Sequence, residues 1–196
     1  MFTGIIETTG EVIQSIPEGT NLTFRLRSSL APHLKVDQSL SHNGVCLTVT
    51  AVEGDTYLVT AVEETLAKTN LGQLVPGSVV NLERCMAADG RFDGHIVQGH
   101  VDQTGVCTSV QERDGSWLFD FAFDGSVGNI LVEKGSICIN GVSLTVFNAG
   151  TDSFRVTIIP YTYEHTNFHA LQAGDTVNLE FDILGKYIQR ILNQAR

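Results

Sequence analysis

The chain has 196 residues, enough for one large or two small domains that each bury a core. A hydrophobic fraction of 42%, a charged fraction of 17%, 19 Gly and only 4 Pro exclude a disordered or low-complexity chain. The 22 Asp and Glu against 12 Lys and Arg give a net charge of −10, which argues against a nucleic-acid partner.

The start of the chain lacks a basic stretch followed by an apolar core, and no apolar run approaches the roughly 18 residues that cross a bilayer. We therefore expect a cytoplasmic protein without a membrane partner. The four cysteines show no CxxC spacing, so reduced thiols are expected. His95 and His100 with Cys85 and Cys107 match none of the usual zinc patterns, so we expect no metal.

Short segments rich in β-branched and aromatic residues, punctuated by Gly, Asn and Asp, predict β-strands along both halves of the chain. In chain order they are residues 11–14, 22–26, 46–50, 57–61, 117–123, 143–147 and 154–159. Several short strands at this spacing favour small closed antiparallel barrels, because closure removes exposed sheet edges. The fold prediction is therefore all-β, with two antiparallel barrels in tandem.

An internal repeat supports the division into two barrels. The segment SHNGVCLTV at 41–49 recurs as CINGVSLTV at 138–146, with an offset of 97 residues. Near the start of each copy the offset is 95, because Thr9 and Gly10 match Thr104 and Gly105. The second copy has thus gained two residues in an early loop. We predict domains at 1–93 and 94–182.

Residues 183–196 break the β pattern. Their apolar side chains recur at helical spacing, which predicts an amphipathic C-terminal helix with no counterpart after the first unit. Two roles remain open for its apolar face. It caps its own barrel, or it pairs with other copies of the chain as an oligomerisation helix.

Positions that differ between the two copies are candidates for function, and each also has an ordinary structural interpretation. The four pairs are Cys46/Ser143, Glu64/Tyr161, Asp37/Lys134 and Cys85/Asp182. Cys46 could be a small buried hydrophobic residue, and Ser143 a polar strand residue facing solvent. Asp182 could cap the C-terminal helix.

Positions that agree between the copies indicate fold. Asn43-Gly44 and Asn140-Gly141 predict hairpin turns, because both residue types tolerate positive φ. Thr48 and Thr145 suggest strand packing. The two histidines of GHIVQGHV at 94–101 suit either proton transfer or a structural role.

Four motifs together resemble the riboflavin synthase family of the α-chain type across essentially the whole chain. They are MFTGII at 1–6, SHNGVCLTV at 41–49, GHIVQGHVD at 94–102 and NGVSLTV at 140–146. The resemblance implies two six-stranded Greek-key barrels. It also implies that two molecules of 6,7-dimethyl-8-ribityllumazine exchange a four-carbon unit without cofactor or metal. The products are riboflavin and 5-amino-6-ribitylamino-2,4(1H,3H)-pyrimidinedione, in the last step of riboflavin biosynthesis.

The resemblance further implies a homotrimer, with the reacting substrates between the first barrel of one subunit and the second barrel of a neighbour, and an association with lumazine synthase. The first half-site would comprise Gly4, Ile5, Ile6, Cys46, Leu47, Thr48, Thr60, Ala61, Val62, Glu63, Glu64, Thr65, Gly99, His100 and Val101. The second would comprise Lys134, Ser143, Leu144, Thr145, Ile159, Pro160, Tyr161, Thr162, Tyr163 and Glu164. Tyr161 departs from the acidic residue usual at its position.

The expected chemistry requires donor and acceptor lumazines to be treated differently, which fits half-sites that are similar but not identical. One lumazine would lose a proton from its C7 methyl group and attack C6 of the other after a nucleophile has added at C7. The candidate catalytic residues are Cys46, His100, Ser143, Thr145 and Asp182. Holding the two rings face to face could itself supply several kcal/mol. The alternative is a non-catalytic lumazine- or flavin-binding antenna protein.

Overall fold

The computed structural model describes residues 1–194 and contains two closed antiparallel barrels of six strands each. Both barrels predicted from the repeat are therefore confirmed. The predicted helix also included residues 195 and 196, which lie outside the described residues.

The first barrel has the strand order β1-β2-β5-β4-β3-β6. Its strands are β1 (Thr8–Glu18), β2 (Asn21–Arg27), β3 (Ser39–His42), β4 (Val45–Glu53), β5 (Thr56–Ala61) and β6 (Val79–Arg84). A short helix α1 (Glu63–Lys68) follows β5, and a 3-10 turn (Asn70–Gln73) leads towards β6. The pairing of β2 with β5 makes the connection a Greek key.

The second barrel repeats this order around its circumference. Its strands are β7 (Gln103–Arg113), β8 (Ser116–Phe123), β9 (Ser136–Ile139), β10 (Val142–Phe147), β11 (Ser153–Ile158) and β12 (Thr176–Phe181). Helix α2 (Pro160–His165) occupies the position of α1. The two extra residues of this copy fall in the connection between β8 and β9.

The repeated Asn-Gly pairs form the predicted hairpin turns. Asn43 and Asn140 have φ values of 47° and 46°, and the glycines that follow have 81° and 84°. They join β3 to β4 and β9 to β10. By contrast, Thr48 and Thr145 are exposed. Their interpretation as packing residues is wrong, because the alternation of the strand turns the neighbouring Leu47 and Val146 inward instead.

The two cores are filled differently. Aliphatic side chains such as Leu26, Leu40 and Leu82 dominate the first barrel. The second is rich in phenylalanine, with Phe119, Phe121, Phe123, Phe154, Phe168 and Phe181 all buried. The copies therefore keep the same backbone topology with different side chains inside.

Helix α3 (Ile183–Gln194) contacts the second barrel through polar side chains. The Lys186 Nζ lies 2.7 Å from an Asp102 carboxylate oxygen, and the Gln189 side chain donates to the Gly128 carbonyl at 2.8 Å. The apolar face instead points outward: Leu184, Tyr187, Ile188, Ile191 and Leu192 are 57–66% exposed. The helix therefore does not use these residues to cap its own barrel. Among residues 1–194, no helix is long and apolar enough to span a membrane.

Candidate active site

Two short segments, residues 1–5 and 97–101, precede the two barrels and pair with each other. Phe2 and Val97 are fully buried and exchange backbone hydrogen bonds, with Phe2 N–H to Val97 O at 2.7 Å and the reverse bond at 3.1 Å. Each segment then continues onto the opposite barrel. The Ser143 N–H donates to Gly4 O at 2.8 Å, and the Cys46 N–H donates to Gly99 O at 2.9 Å. The barrels are thus joined by an exchange of these two equivalent segments, which we call the exchanged segments.

Glycine is required where each exchanged segment meets the other barrel. Gly4 and Gly99 have φ values of 78° and 81°, in the left-handed region. A Cβ on Gly4 would lie 2.6 Å from the Ser143 Cβ, and a Cβ on Gly99 would lie 2.6 Å from the Cys46 Cβ. The absence of a side chain at these glycines therefore lets the backbone approach the two positions where the copies differ chemically.

Two buried carboxylates hold the exchanged segments in place. Glu83 accepts hydrogen bonds from the Thr3 N–H at 2.6 Å and the Gly4 N–H at 2.9 Å. Glu180 accepts from the N–H groups of Gln98, Gly99 and His100 at 2.6–2.9 Å. Burial raises the pKa of both carboxyl groups, and these hydrogen bonds oppose the shift. Each carboxylate thereby fixes the backbone of one exchanged segment.

Six asparagines fasten the barrels together around the hairpin turns. They are Asn43, Asn70, Asn81, Asn140, Asn167 and Asn178. The Asn81 side chain donates to the Asn140 carbonyl at 2.9 Å, and the Asn178 side chain donates to the Asn43 carbonyl at the same distance. A Cβ on Gly44 would lie 2.8 Å from the Gly141 nitrogen. The two turns thus form the symmetric centre of the interface.

The predicted first half-site contains a cavity of about 280 Å³ beside Cys46. Its lining residues are Val45, Cys46, Glu64, Thr65, Lys68, Thr69, Gly99, His100 and Val101. On its α1 side Lys68 Nζ lies 2.9 Å from Glu64 Oε1. Burial raises the pKa of the Cys46 thiol, so the neutral thiol dominates at neutral pH. Cys46 is therefore not a preformed thiolate.

A cavity of about 240 Å³ lies beside α2, next to residues of the predicted second half-site. Its lining residues are Ile6, Glu7, Thr8, Thr9, Tyr161, Glu164, His165, Thr166 and His169. Tyr161, His165, Thr166 and Ile6 correspond by the repeat to Glu64, Lys68, Thr69 and Val101, which line the first cavity. The two cavities are thus related in part by the duplication, although Ser143, the counterpart of Cys46, does not line the second. The resemblance assigns Gly4, Ile5 and Ile6 to the first half-site, but the structure places Ile6 in the second cavity and the Gly4 carbonyl against the Ser143 N–H.

Ser143 forms a hydrogen bond that has no counterpart at Cys46. Its Oγ lies 2.7 Å from Nδ1 of His95. Burial lowers the pKa of His95, and the nearby charge of Asp182 opposes that shift. The imidazole is therefore neutral near pH 7 and able to exchange a proton with the hydroxyl. Its Nε2 is buried without a partner.

Asp182 caps α3, because its side chain accepts a hydrogen bond from the Leu184 N–H at 3.0 Å. The same carboxylate is close enough to influence His95. Lys134 adopts a positive φ of 64° and places its ammonium group 3.6 Å from the centre of the Phe147 ring. Both residues are thus held by neighbours in the second barrel.

The predicted binding residues fall into two groups. Leu47 and Ala61 are buried in the core of the first barrel, so only their backbone is available to a ligand, and Leu144 packs against the core of the second. The remaining residues have side chains that are exposed or partly exposed. These are Ile5, Ile6, Thr48, Thr60, Val62, Glu63, Thr65, Val101, Thr145, Ile159, Pro160, Thr162, Tyr163 and Glu164.

The comparisons with known proteins agree with this duplicated arrangement. Residues 3–85 and 98–182 each match the family model described as lumazine binding domain. Riboflavin synthase from Bacillus subtilis (strain 168) is 41% identical over 196 residues, covering 100% of this chain and 91% of the relative. Riboflavin synthase from Mycobacterium tuberculosis (strain ATCC 25618 / H37Rv) is 41% identical over 205 residues, covering 100% of both chains. This chain belongs to the riboflavin synthase family.

The fold of this riboflavin synthase family member also resembles solved structures of LumP. LumP complexed with 6,7-dimethyl-8-(1'-D-ribityl) lumazine has a TM-score of 0.83 at 20% identity, and the match covers 92% of this chain and 98% of the LumP chain. LumP complexed with riboflavin has a TM-score of 0.84 at 22% identity, and the match covers 92% of this chain and 99% of the LumP chain. At this identity the likeness concerns the fold alone.

Sequence reasoning did not select His95 as a catalytic candidate and preferred His100. In the structure the exposed His100 lies beside the first cavity. His95 forms the hydrogen bond with Ser143. Glu83 and Glu180 were also missed as holders of the exchanged segments. Their signal was available, since both stand in the repeated stretch VNLE at offset 97. Within residues 1–194, no group of three or more His, Cys, Asp or Glu side chains could hold a metal ion.

Proposed function

We propose that this protein is a riboflavin synthase that converts two molecules of 6,7-dimethyl-8-ribityllumazine into riboflavin and 5-amino-6-ribitylamino-2,4(1H,3H)-pyrimidinedione. The atoms of the two products equal those of the two substrates, so the four-carbon transfer requires no net oxidant or reductant. The proposal draws on the full-length similarity to riboflavin synthases.

The observation that carries the proposal is the pair of cavities beside the equivalent helices α1 and α2 of the two barrels. Two identical substrates need two similar sites, and donor and acceptor need different surroundings. The chain supplies similar backbone frames through Gly4 and Gly99, and different side chains through Ser143 and Cys46.

The second half-site has the groups for activating a nucleophile. Neutral His95 accepts a proton from the Ser143 hydroxyl, or from a water in its place, as the oxygen adds to C7 of one lumazine. Asp182 stabilises the imidazolium that forms. Thr145 and Lys134 belong to the same half-site in this proposal. The exposed His100 serves proton transfer on the first half-site.

Cys46 acts as a neutral thiol in this proposal, because its raised pKa disfavours a thiolate. It polarises or adds to the ligand held against the first barrel. Much of the rate enhancement comes from holding the two rings face to face, because positioning can supply several kcal/mol. The predicted binding residues of both half-sites supply that positioning.

The working assembly in this proposal is a homotrimer, in which the reacting substrates lie between the first barrel of one subunit and the second barrel of a neighbour. The outward apolar face of α3 supports association between copies, because burying it removes five large side chains from water. Sedimentation equilibrium of the full chain would give three times the monomer mass. The cytoplasmic location is proposed from the residue pattern of the sequence, and the association with lumazine synthase from the family resemblance.

The test mixes the purified protein with 6,7-dimethyl-8-ribityllumazine alone and follows riboflavin by absorbance and fluorescence. One riboflavin for every two lumazines consumed is the expected result. Tight binding of lumazine without turnover would contradict the enzyme proposal and support the antenna alternative. Heat-treated protein provides the control for uncatalysed conversion.

A further inference from the structure

Helices α1 and α2 occupy equivalent positions but present different groups to their cavities. On α1, Glu64 and Lys68 form an exposed ion pair. On α2, the equivalent residues Tyr161 and His165 stack, with ring centres 4.1 Å apart and planes inclined by 15°. An ion pair in one half-site is thus replaced by two parallel aromatic rings in the other.

The aromatic character of the second half-site extends beyond this pair. Trp117 and Tyr163 stack face to face, with ring centres 3.8 Å apart and an interplanar angle of 1°. The repeat places Leu22 and Leu66 at the corresponding positions of the first barrel. The change at Tyr161 therefore belongs to a set of aromatic replacements around α2.

Tyr161 is held on one side and open on the other. His165 covers one face of its ring, and the His165 Nδ1 donates to the Tyr161 carbonyl at 2.8 Å, which fixes the imidazole. Tyr161 nevertheless remains 67% exposed and lines the second cavity with Ile6 and Thr166. A supported ring with an open face beside a cavity is a surface on which a planar ligand stacks.

We propose that Tyr161 is a specificity-determining residue of the second half-site, where its open face stacks on the fused ring system of a bound lumazine or flavin. The electron-poor ring of such a ligand pairs well with an electron-rich phenol. Glu64 offers no ring in the first half-site. The two half-sites of one chain therefore bind the same ligand with unequal affinity. This inference rests on the proposed function and assigns a cause to the inequality of its two sites.

The test titrates the full chain with riboflavin and compares two variants of one residue. Tyr161→Glu introduces the residue of the first half-site and weakens one class of sites by about three- to tenfold. Tyr161→Phe keeps the ring and retains the affinity of that class. The variant Glu64→Gln, at the equivalent position of the first half-site, changes the riboflavin affinity of the other class of sites only. Thermal unfolding of each variant verifies that an exposed substitution on α2 leaves the fold intact.

Flavin fluorescence gives a readout that a merely structural role would not change. A phenol in contact with a flavin quenches its fluorescence by electron transfer, and phenylalanine is a much poorer electron donor. The riboflavin bound by Tyr161→Phe is therefore brighter than in the wild type at equal occupancy. Unchanged affinity in Tyr161→Glu, lost affinity in Tyr161→Phe, or unchanged brightness in Tyr161→Phe would each overturn the inference.

The failure of this inference is distinct from failure of the proposed function. If the wild type converts lumazine to riboflavin and Tyr161→Glu binds as the wild type does, only the role of Tyr161 is wrong. If the wild type produces no riboflavin from lumazine, the proposed function itself is wrong.

Discussion

In the first half-site the Cys46 N–H donates to Gly99, and in the second the Ser143 N–H donates to Gly4. Around these matching bonds, Cys46 packs beside Cys85 and the buried Phe2, whereas Ser143 is hydrogen-bonded to His95. The symmetric elements are buried and hold the backbone. Among the asymmetric ones, Cys46 lines the first cavity, and Tyr161 and His165 line the second. The duplication therefore separates the residues that build a half-site from those that distinguish one half-site from the other.

The largest expected effect concerns the shared backbone frame. Gly99→Ala should lower the free energy of unfolding by about 3 kcal/mol or more, because the new Cβ meets Cys46 at 2.6 Å and φ is 81°. Gly115→Ala is the matched control, with a φ of 82° and nothing within 4 Å, and should cost about 1 kcal/mol. Urea unfolding measures both. Equal costs would show that the close approach does not matter.

The second prediction uses a difference inside the barrels. In the first barrel His42 Nε2 accepts from the Tyr57 hydroxyl at 2.9 Å, and burial lowers the pKa of His42 to about 4. The folded state therefore prefers neutral His42. Its contribution is complete above the unfolded pKa of 6.5 and is lost as the pH falls towards 4, at up to about 1.4 kcal/mol per pH unit.

The second barrel provides the control for this pH dependence, since Ile139 and Phe154 occupy the equivalent positions. The double variant His42→Ile, Tyr57→Phe should lose less stability between pH 6.5 and 4 than the wild type does. Urea unfolding at several pH values makes the comparison. The same slope in both proteins would mean that other groups cause the acid sensitivity.

The third prediction tests the pair that only the second half-site has. His95→Ala and Ser143→Ala should each lower turnover about 10- to 100-fold if the imidazole exchanges a proton with the hydroxyl. The double variant should have nearly the same turnover as the less active of the two single variants, because the two residues act as a unit. Steady-state rates per folded molecule of the wild type, both single variants and the double variant give the double-mutant cycle. If the reductions in turnover of the two single variants multiply in the double variant, the two residues act independently and the proposed proton exchange is wrong.

The smallest expected effect concerns the first half-site. Cys46→Ala should lower turnover about tenfold while changing the free energy of unfolding by about 1 kcal/mol or less, because the side chain is only half-buried. Cys46→Ser copies the second half-site and isolates the sulfur. A loss of thermal stability with unchanged turnover per folded molecule would make Cys46 a packing residue.

The fold was predictable because its signals are local and occur twice. Alternating apolar segments, the Asn43-Gly44 turn and its copy at Asn140-Gly141 each specify structure within a few residues. The short helices α1 and α2 were not predicted. Each has only six residues and no side-chain N-cap hydrogen bond, so the sequence contains little signal for them.

The site was predictable in part, because its remaining contacts join residues far apart in the chain. The hydrogen bond from Asn178 to the Asn43 carbonyl spans 135 residues, and the one between His95 and Ser143 spans 48. The first depends on how the two barrels pack against each other, and the second on the path of the chain just before residues 97–101. The comparison of copies selected Cys46/Ser143 as a chemical difference, and the structure gives the two residues different neighbours. It could not find His95, because its partner is determined by tertiary structure.

In the proposed function, one chain carries two related but unequal ligand sites. The most direct test is a calorimetric titration of the full chain with a lumazine that carries an oxo group in place of the C7 methyl and therefore cannot lose the methyl proton. We expect two ligands per chain with different dissociation constants. One ligand per chain, or two with identical constants, would contradict it.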